Sequence, residues 1–296
     1  MNYNLIKRLI KYGYGLFTFP VVKLIYRARI PLIINNIGTL EEINAKKLSV
    51  SRFGDGELDL IEGKGNNFTD YNSALATRLN DVITSDTDKH IICIPPQLSG
   101  LSGYKLSQKL FWGSYLTNRL KDWLKYLNPQ KTYYSAFISR FYLAYLNPDY
   151  TKALVDRWKK IWDNKDLLII EGEFTRLGVG NDLFDNSRSI KRLICPSKNA
   201  FEKYDEIFTK ASEYKEHLIL IALGQSASVL AFDLSKSGHW AIDVGHIDIE
   251  YEWYLKRTNT RVPISQKYTN EVKSGTENLG ECHDADYNNQ IVYKIV

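Results

Sequence analysis

The sequence predicts an α/β protein. It should be a Rossmann-like, mostly parallel sheet with helices on both faces, preceded by a basic amphipathic segment. Three observations carry this. Short apolar runs rich in β-branched residues recur along the 296-residue chain. Segments with helical apolar spacing lie between many of them. The connections are too long for a hairpin meander. Strands that are apolar throughout are buried on both faces, as in sheets covered by helices on each side. The composition, 44% hydrophobic and 25% charged, supports a full-sized core. Cys93, Cys195 and Cys282 have no metal spacing and read as reduced thiols of a cytoplasmic protein. No signal-peptide cleavage pattern is expected.

Residues 1–40 form the first unit. Leu5, Ile6, Leu9 and Ile10 recur at helical spacing with Lys7, Arg8 and Lys11 between them, and Tyr12, Tyr14, Phe17 and Phe19 follow. This unit has six Lys or Arg and no acid, while the whole chain carries +5, so the remainder is close to neutral. The uncharged run from Tyr12 to Val22 is 11 residues long, short of the ~20 needed to span a bilayer. The segment therefore reads as an interfacial anchor on an anionic membrane, peripheral on the inner face of the plasma membrane. The other reading is a helix packed on the domain, or on a second subunit of a homo-oligomer. No basic stripe recurs in the body, so nucleic acid is not an expected partner.

Residues 41–260 form the α/β domain. Its strands in order are "KLSVSRFG", "HIICIPP", "TYYSAFIS", "DLLIIEGE", "KRLICPS", "HLILIALG" and "HWAIDVG". Helical spacing marks "YNSALATRLNDVITS", with Leu75, Leu79, Val82 and Ile83 on one side. It also marks "YTKALVDRWKKIWDN", through Leu154, Val155, Trp158, Ile161 and Trp162, and "AFEKYDEIFTKASEYK", through Phe201, Tyr204, Ile207 and Phe208. Residues 261–296 are more polar and read as an irregular excursion that closes on "QIVYKIV" and docks back.

Ligands of open α/β sheets bind beyond the carboxyl ends of the strands. Three polar clusters follow strand ends. In "RFGDGE", an extended reading points Asp55 and Glu57 the same way, toward one divalent cation. Gly54 and Gly56 would allow close approach of a ligand, and Arg52 would contact a phosphate or support a carboxylate. The alternative is an Asp-Gly turn before a helix that gains from acids in its first turn. The second cluster holds Arg176, Gly178, Gly180, Asn181 and Asp182 after "LLIIEG", a glycine-rich turn able to offer backbone N–H groups to phosphate, or simply a long turn with capping residues. The third is "AIDVGHIDIEYEW". Read as extended, His246, Asp248, Glu250 and Glu252 share one face, fit for a cation or a general base, unless that face is merely solvated. Before it, Gly224 and Ser226 sit at a strand end and helix start able to hold an anion.

Taken in order, "RFGDGE", "IPP", "EGEFTRLGVGNDLFDNSRSIKRLICPSKNAF", "LIALGQSASVLAFDLS" and "AIDVGHIDIEYEW" resemble the bacterial D-type (GT-D fold) glycosyltransferases, formerly a domain of unknown function. The likeness covers about residues 45–258. It implies a UDP-sugar donor and a divalent metal, Mn²⁺ or Mg²⁺, held through Asp55 and Glu57 with His246 near the metal. Arg176 to Asp182 would lie along the donor. Glu250 or Glu252 would be the catalytic base, with Glu250 favoured. The expected activity is transfer of a hexose, glucose or galactose, to a glycan acceptor of a surface polysaccharide or glycoprotein. The basic first unit would favour a lipid-linked acceptor. Competing classes are a nucleotide-sugar hydrolase and a non-catalytic sugar- or membrane-binding module.

Overall fold

The computed structural model describes residues 9–65, 69–272, 274–277 and 279–295. Leu5, Ile6, Lys7 and Arg8 of the basic segment lie outside the described residues. The strands are β1 (Leu32–Ile34), β2 (Ser49–Arg52), β3 (His90–Ile94), β4 (Thr132–Ser135), β5 (Asp166–Gly172), β6 (Ser189–Cys195), β7 (Leu218–Ala222), β8 (Trp240–Asp243) and β9 (Ile291–Lys294). Among the described residues they make one nine-stranded sheet in the order β1-β4-β3-β2-β8-β7-β5-β6-β9. Every pairing is parallel. β2 and β8 meet at the centre, where the strand order reverses direction.

Successive strand residues face opposite layers, which is why apolar runs without alternation build this sheet. Leu167 and Ile169, Leu218 and Leu220 join one core with Trp158 and Trp162 of α6 (Pro148–Trp162). Their neighbours Leu168 and Ile170, Ile219 and Ile221 join the opposite core with Ile207 of α7 (Tyr204–Ser212) and Leu230 of α8 (Ser226–Lys236). Both central strands end in charged residues, Arg52 and Asp243.

Before the domain lies α1 (Gly15–Tyr26), packed lengthwise on α5 (Leu106–Tyr126). Glycines let the two helices touch: a Cβ on Gly15 would stand 2.2 Å from the Ser114 backbone nitrogen. Ser114 Oγ and Asn118 Nδ2 each donate to Tyr14 Oη at 2.8 Å, and Phe19 is buried. The outer side of the same segment is apolar and open, with Ile10 and Phe17 each 80% exposed and Ile25 70%. Packing on the domain and an outward apolar face therefore coexist. No described helix is long and apolar enough to cross a membrane.

At the other end, α10 (Ala285–Gln290) leads into β9, which pairs with β6. The Arg192 guanidinium on β6 lies 4.8 Å from the Tyr287 ring and donates to Gln290 Oε1 at 2.7 Å.

Two extended readings are corrected. The residues after β2 form α3 (Asp55–Ile61), and those after β8 form α9 (Ile247–Leu255). In each case a glycine, Gly54 or Gly245, lies two residues past the strand end, and acids occupy the first helical turn, where they complement the helix dipole. α9 misled because every residue from Ile247 to Trp253 is buried. A helix surrounded on all sides has no apolar stripe to reveal its period.

Candidate active site

The carboxyl ends of the central strands open into a cavity of about 1310 Å³. Arg52 anchors its floor. Its Nε donates to the Asp243 carbonyl and its Nη2 to Asp243 Oδ1, both at 2.9 Å, and Nη1 donates to Ser139 Oγ at 2.8 Å. One guanidinium thus ties the ends of β2 and β8 to the segment after β4. It supports a carboxylate, but that carboxylate is Asp243 rather than Asp55 or Glu57. Gly245, at φ +47°, is required for this arrangement, since a Cβ there would lie 1.8 Å from Arg52 Nη2. Burial pushes the Asp243 carboxyl up, and Arg52 opposes that push.

Asp55 and Glu57 occupy the first and third positions of α3. They do not point the same way, because two residues on a helix are about 200° apart. Both still line the cavity. The Gly54 N–H donates to Glu57 Oε2 at 2.7 Å, half of a capping box. Burial raises both acids, Glu57 to about 7. Among the described residues, no cluster of three or more His, Cys, Asp or Glu forms a ready cage for a metal. A Mg²⁺-type ion needs only one or two carboxylates when water and phosphate complete its shell. Asp55, exposed at the cavity, and Glu57, half-buried beside it, are two carboxylates of the kind such an ion takes.

The register of α9 sorts its polar residues by steps of four. His246, at the N-cap position, and Glu250 line the cavity. Glu250 Oε2 accepts from the backbone N–H groups of Tyr142 at 2.9 Å and Leu143 at 3.1 Å. Burial raises this carboxyl, while Arg140 and those N–H groups oppose it. Asp248, which also lines the cavity, and Glu252 both meet the buried Lys267 ammonium, at 2.7 and 3.0 Å. Asn181 Nδ2 also donates to both, at 2.8 and 2.7 Å. Glu252 therefore belongs to a paired internal cluster and does not line the cavity.

The glycine-rich turn serves the same cluster. The Gly178 N–H donates to Asp248 Oδ1 at 3.0 Å, and Asp182 accepts from Tyr251 at 2.6 Å and Lys159 at 2.7 Å. Arg176 is buried and donates to the carbonyls of Gln266 at 2.7 Å and Leu279 at 3.0 Å, pinning the tail. Arg176, Gly178, Gly180, Asn181 and Asp182 thus do not line the cavity and brace its wall from behind, whereas Thr175 and Leu177 face inward. Gly54, Gly56 and Gly224 line the cavity, and Ser226 lines a small recess beside it.

Residues not singled out from the sequence complete the site. Arg140, after β4, meets Glu271 from the tail. Arg261 Nε lies 3.0 Å from Glu271 Oε2, and His246 Nδ1 lies 3.7 Å from Oε1. Burial would raise Glu271, but the arginines outweigh it and hold the carboxyl near 2. Burial and Arg140 push His246 down to about 3, so its ring is neutral. Arg140 caps the short helical turn Ala136–Ser139 that follows β4 at the same sheet edge. Glu271 lies in an irregular tail with no motif around it.

The glycosyltransferase GT-D fold family matches residues 50–272. The chain is 39% identical over 256 residues to the "Probable glycosyl transferase Gly" of Streptococcus gordonii, covering 86% of this chain and 37% of that protein. It is 36% identical over 260 residues to glycosyltransferase GlyD of Streptococcus pneumoniae serotype 4, covering 87% of this chain and 32% of that one. The chain thus spans about a third of the length of these relatives. A solved structure of domain of unknown function 1792, described as having a distinct glycosyltransferase fold, superposes with a TM-score of 0.87 at 37% identity, over 94% of this chain and all (100%) of that one. A glycosyltransferase of the same domain type from Streptococcus sanguinis gives a TM-score of 0.86 at 36% identity, over 90% of this chain and 100% of that one.

Proposed function

The chain belongs to the glycosyltransferase GT-D fold family, and we propose that it moves a hexose, glucose or galactose, from a UDP-sugar to a glycan acceptor of a surface polysaccharide or glycoprotein. The observation that carries this reading is the joining of Asp55, Glu57, Arg52, Arg140 and Glu250 in one cavity at the centre of the sheet.

In this reading Asp55 and Glu57 would hold Mn²⁺ or Mg²⁺, which would supply positive charge against a diphosphate leaving group. The arginines orient the surrounding acids: Arg52 fixes Asp243, and Arg140 fixes Glu271 and helps keep it ionised. Glu250 is the base. Two backbone N–H groups hold its Oε2, and it takes the proton of an acceptor hydroxyl as that oxygen bonds to the anomeric carbon and the carbon–oxygen bond to the diphosphate breaks. Direct attack with one base inverts the anomeric centre. Glu252 has no part in this, being held by Lys267.

The outward apolar side of α1, with Lys11, Lys23, Arg27 and Arg29 on the same segment, supports a peripheral position on an anionic membrane and a lipid-linked acceptor. A donor screen with Mn²⁺, comparing UDP-glucose, UDP-galactose and their N-acetyl forms, tests the activity through UDP release. Silence from all four donors would end the UDP-hexose reading. Release that never transfers sugar to any glycan would make the chain a nucleotide-sugar hydrolase instead.

A further inference from the structure

The cavity has two chemically distinct walls. The sheet-edge wall is charged and was described above. The facing wall comes from the start of α5, the turn after β4 and the N-terminal segment, and it is aromatic: Tyr12, Phe111, Trp112 and Phe137. Lys105, Ser107 and Gln108 set polar groups among these rings.

The aromatic wall is a fixed surface. The Phe111 ring is stacked on Tyr115, with centroids 5.9 Å apart and planes at 13°, and meets Trp112 edge-on at 5.4 Å. Trp112 in turn packs edge-on to Phe137 at 5.8 Å. Rings braced in this way present a face without losing much rotamer freedom on binding. Tyr12 comes from more than ninety residues earlier in the chain and is delivered to the cavity by the close packing of α1 on α5.

Volume argues that this wall serves a second ligand. Single small-molecule pockets run to roughly 300–1,000 Å³, and this cavity is about 1310 Å³. A charged diphosphate belongs at the charged wall. A ring-lined wall with a few hydroxyl and amide partners suits a neutral sugar, whose apolar face stacks on aromatics while its hydroxyls bond to polar side chains.

We infer that the wall formed by Tyr12, Phe111, Trp112 and Phe137, with Gln108, is the acceptor subsite and binds the terminal neutral sugar of a glycan. The assignment rests on the transferase reading above. It makes the N-terminal segment part of the active site, so the segment that shows an apolar face outward also contributes Tyr12 inward.

The test uses the full chain and two separate probes. One is a panel of aryl and methyl glycosides of glucose, galactose and N-acetylglucosamine, followed by saturation-transfer NMR and calorimetry. The other is UDP with Mn²⁺. Tyr12→Ala and Phe111→Ala, each checked for an unchanged circular dichroism spectrum, should weaken glycoside binding about tenfold or more and leave UDP affinity within about twofold. Since Tyr12 is a half-exposed residue, its variant keeps the test readable if Phe111→Ala fails to fold. The assignment is overturned if no glycoside binds the unaltered chain. It is also overturned if glycoside affinity survives the substitutions, or if UDP affinity falls as far as glycoside affinity. A chain that binds glycosides at this wall but not UDP would sink the donor reading and keep the subsite.

Discussion

At the scale of single residues, the site depends on buried charges held by specific partners. Glu271 is the clearest case. Its carboxyl lies near 2, against an ordinary value near 4.5, because Arg140 and Arg261 outweigh its burial. A depressed carboxylate contributes stability that is fully present above its unfolded value, and that stability is lost as pH falls from about 4.5 through about 2. Glu271→Gln should cost about 1–3 kcal/mol near neutral pH, since it leaves the half-buried Arg140 without its charged partner. It should also flatten the acid limb, which urea melts between pH 2 and 7 would display; an unchanged limb would show that Glu271 does not drive acid unfolding. Gly245→Ala tests the neighbouring pair. A Cβ at 1.8 Å from Arg52 Nη2 must displace the guanidinium from Asp243, so turnover should fall at least about a hundredfold, with lowered thermal stability. Asp55→Ala should abolish metal-dependent UDP release while the fold remains, and wild-type turnover in that variant would remove Asp55 from the metal's ligands. Glu250→Gln should keep UDP binding and lose transfer. Should Glu252→Gln behave that way instead, the base has been misassigned.

At the scale of elements, legibility followed whether a segment had one buried face. α6 was readable because its apolar stripe, Leu154, Val155, Trp158, Ile161 and Trp162, faces the core. α9 was not, because its acids are buried with its apolar residues and paired to Lys267, Asn181 and backbone N–H groups. The same change of register reassigned Glu252: an extended reading grouped it with Glu250, and the helix turns it toward Lys267. The contact of α1 with α5 offers an element-scale test. Gly15→Ala places a methyl within 2.2 Å of the Ser114 nitrogen and should cost about 1–3 kcal/mol by forcing the helices apart. Hydrogen exchange should rise across residues 9–26 while β5 and β7 stay protected. Equal protection in the variant would mean the crossing relaxes without strain.

For the whole molecule, one parallel sheet gathers every strand's carboxyl end at one edge, and the central pair β2 and β8 delivers Arg52 and Asp243 to the cavity floor. Within residues 9–40, Tyr12 lines that cavity and the same segment presents an apolar surface outward. Phe17→Glu combined with Leu24→Glu should abolish co-sedimentation with anionic vesicles and leave donor turnover intact. Binding by the unaltered chain should weaken as salt rises, since its basic residues are exposed and screened. Failure of the unaltered chain to pellet with vesicles at low salt would end the membrane reading.

The sequence by itself determined the α/β class, the covered parallel sheet and the places where polar clusters end strands. These are local properties: apolar runs, helical stripes and glycines at strand ends report on a residue's own neighbourhood. Tertiary structure alone decided which of those polar residues meet. Arg176 and Asn181 went behind the wall, Asp243 took Arg52, and Glu271 joined from the tail more than a hundred residues after Arg140. A buried charge is stable only with its partner, and the partner's identity depends on contacts between distant segments, which no local pattern in the chain encodes.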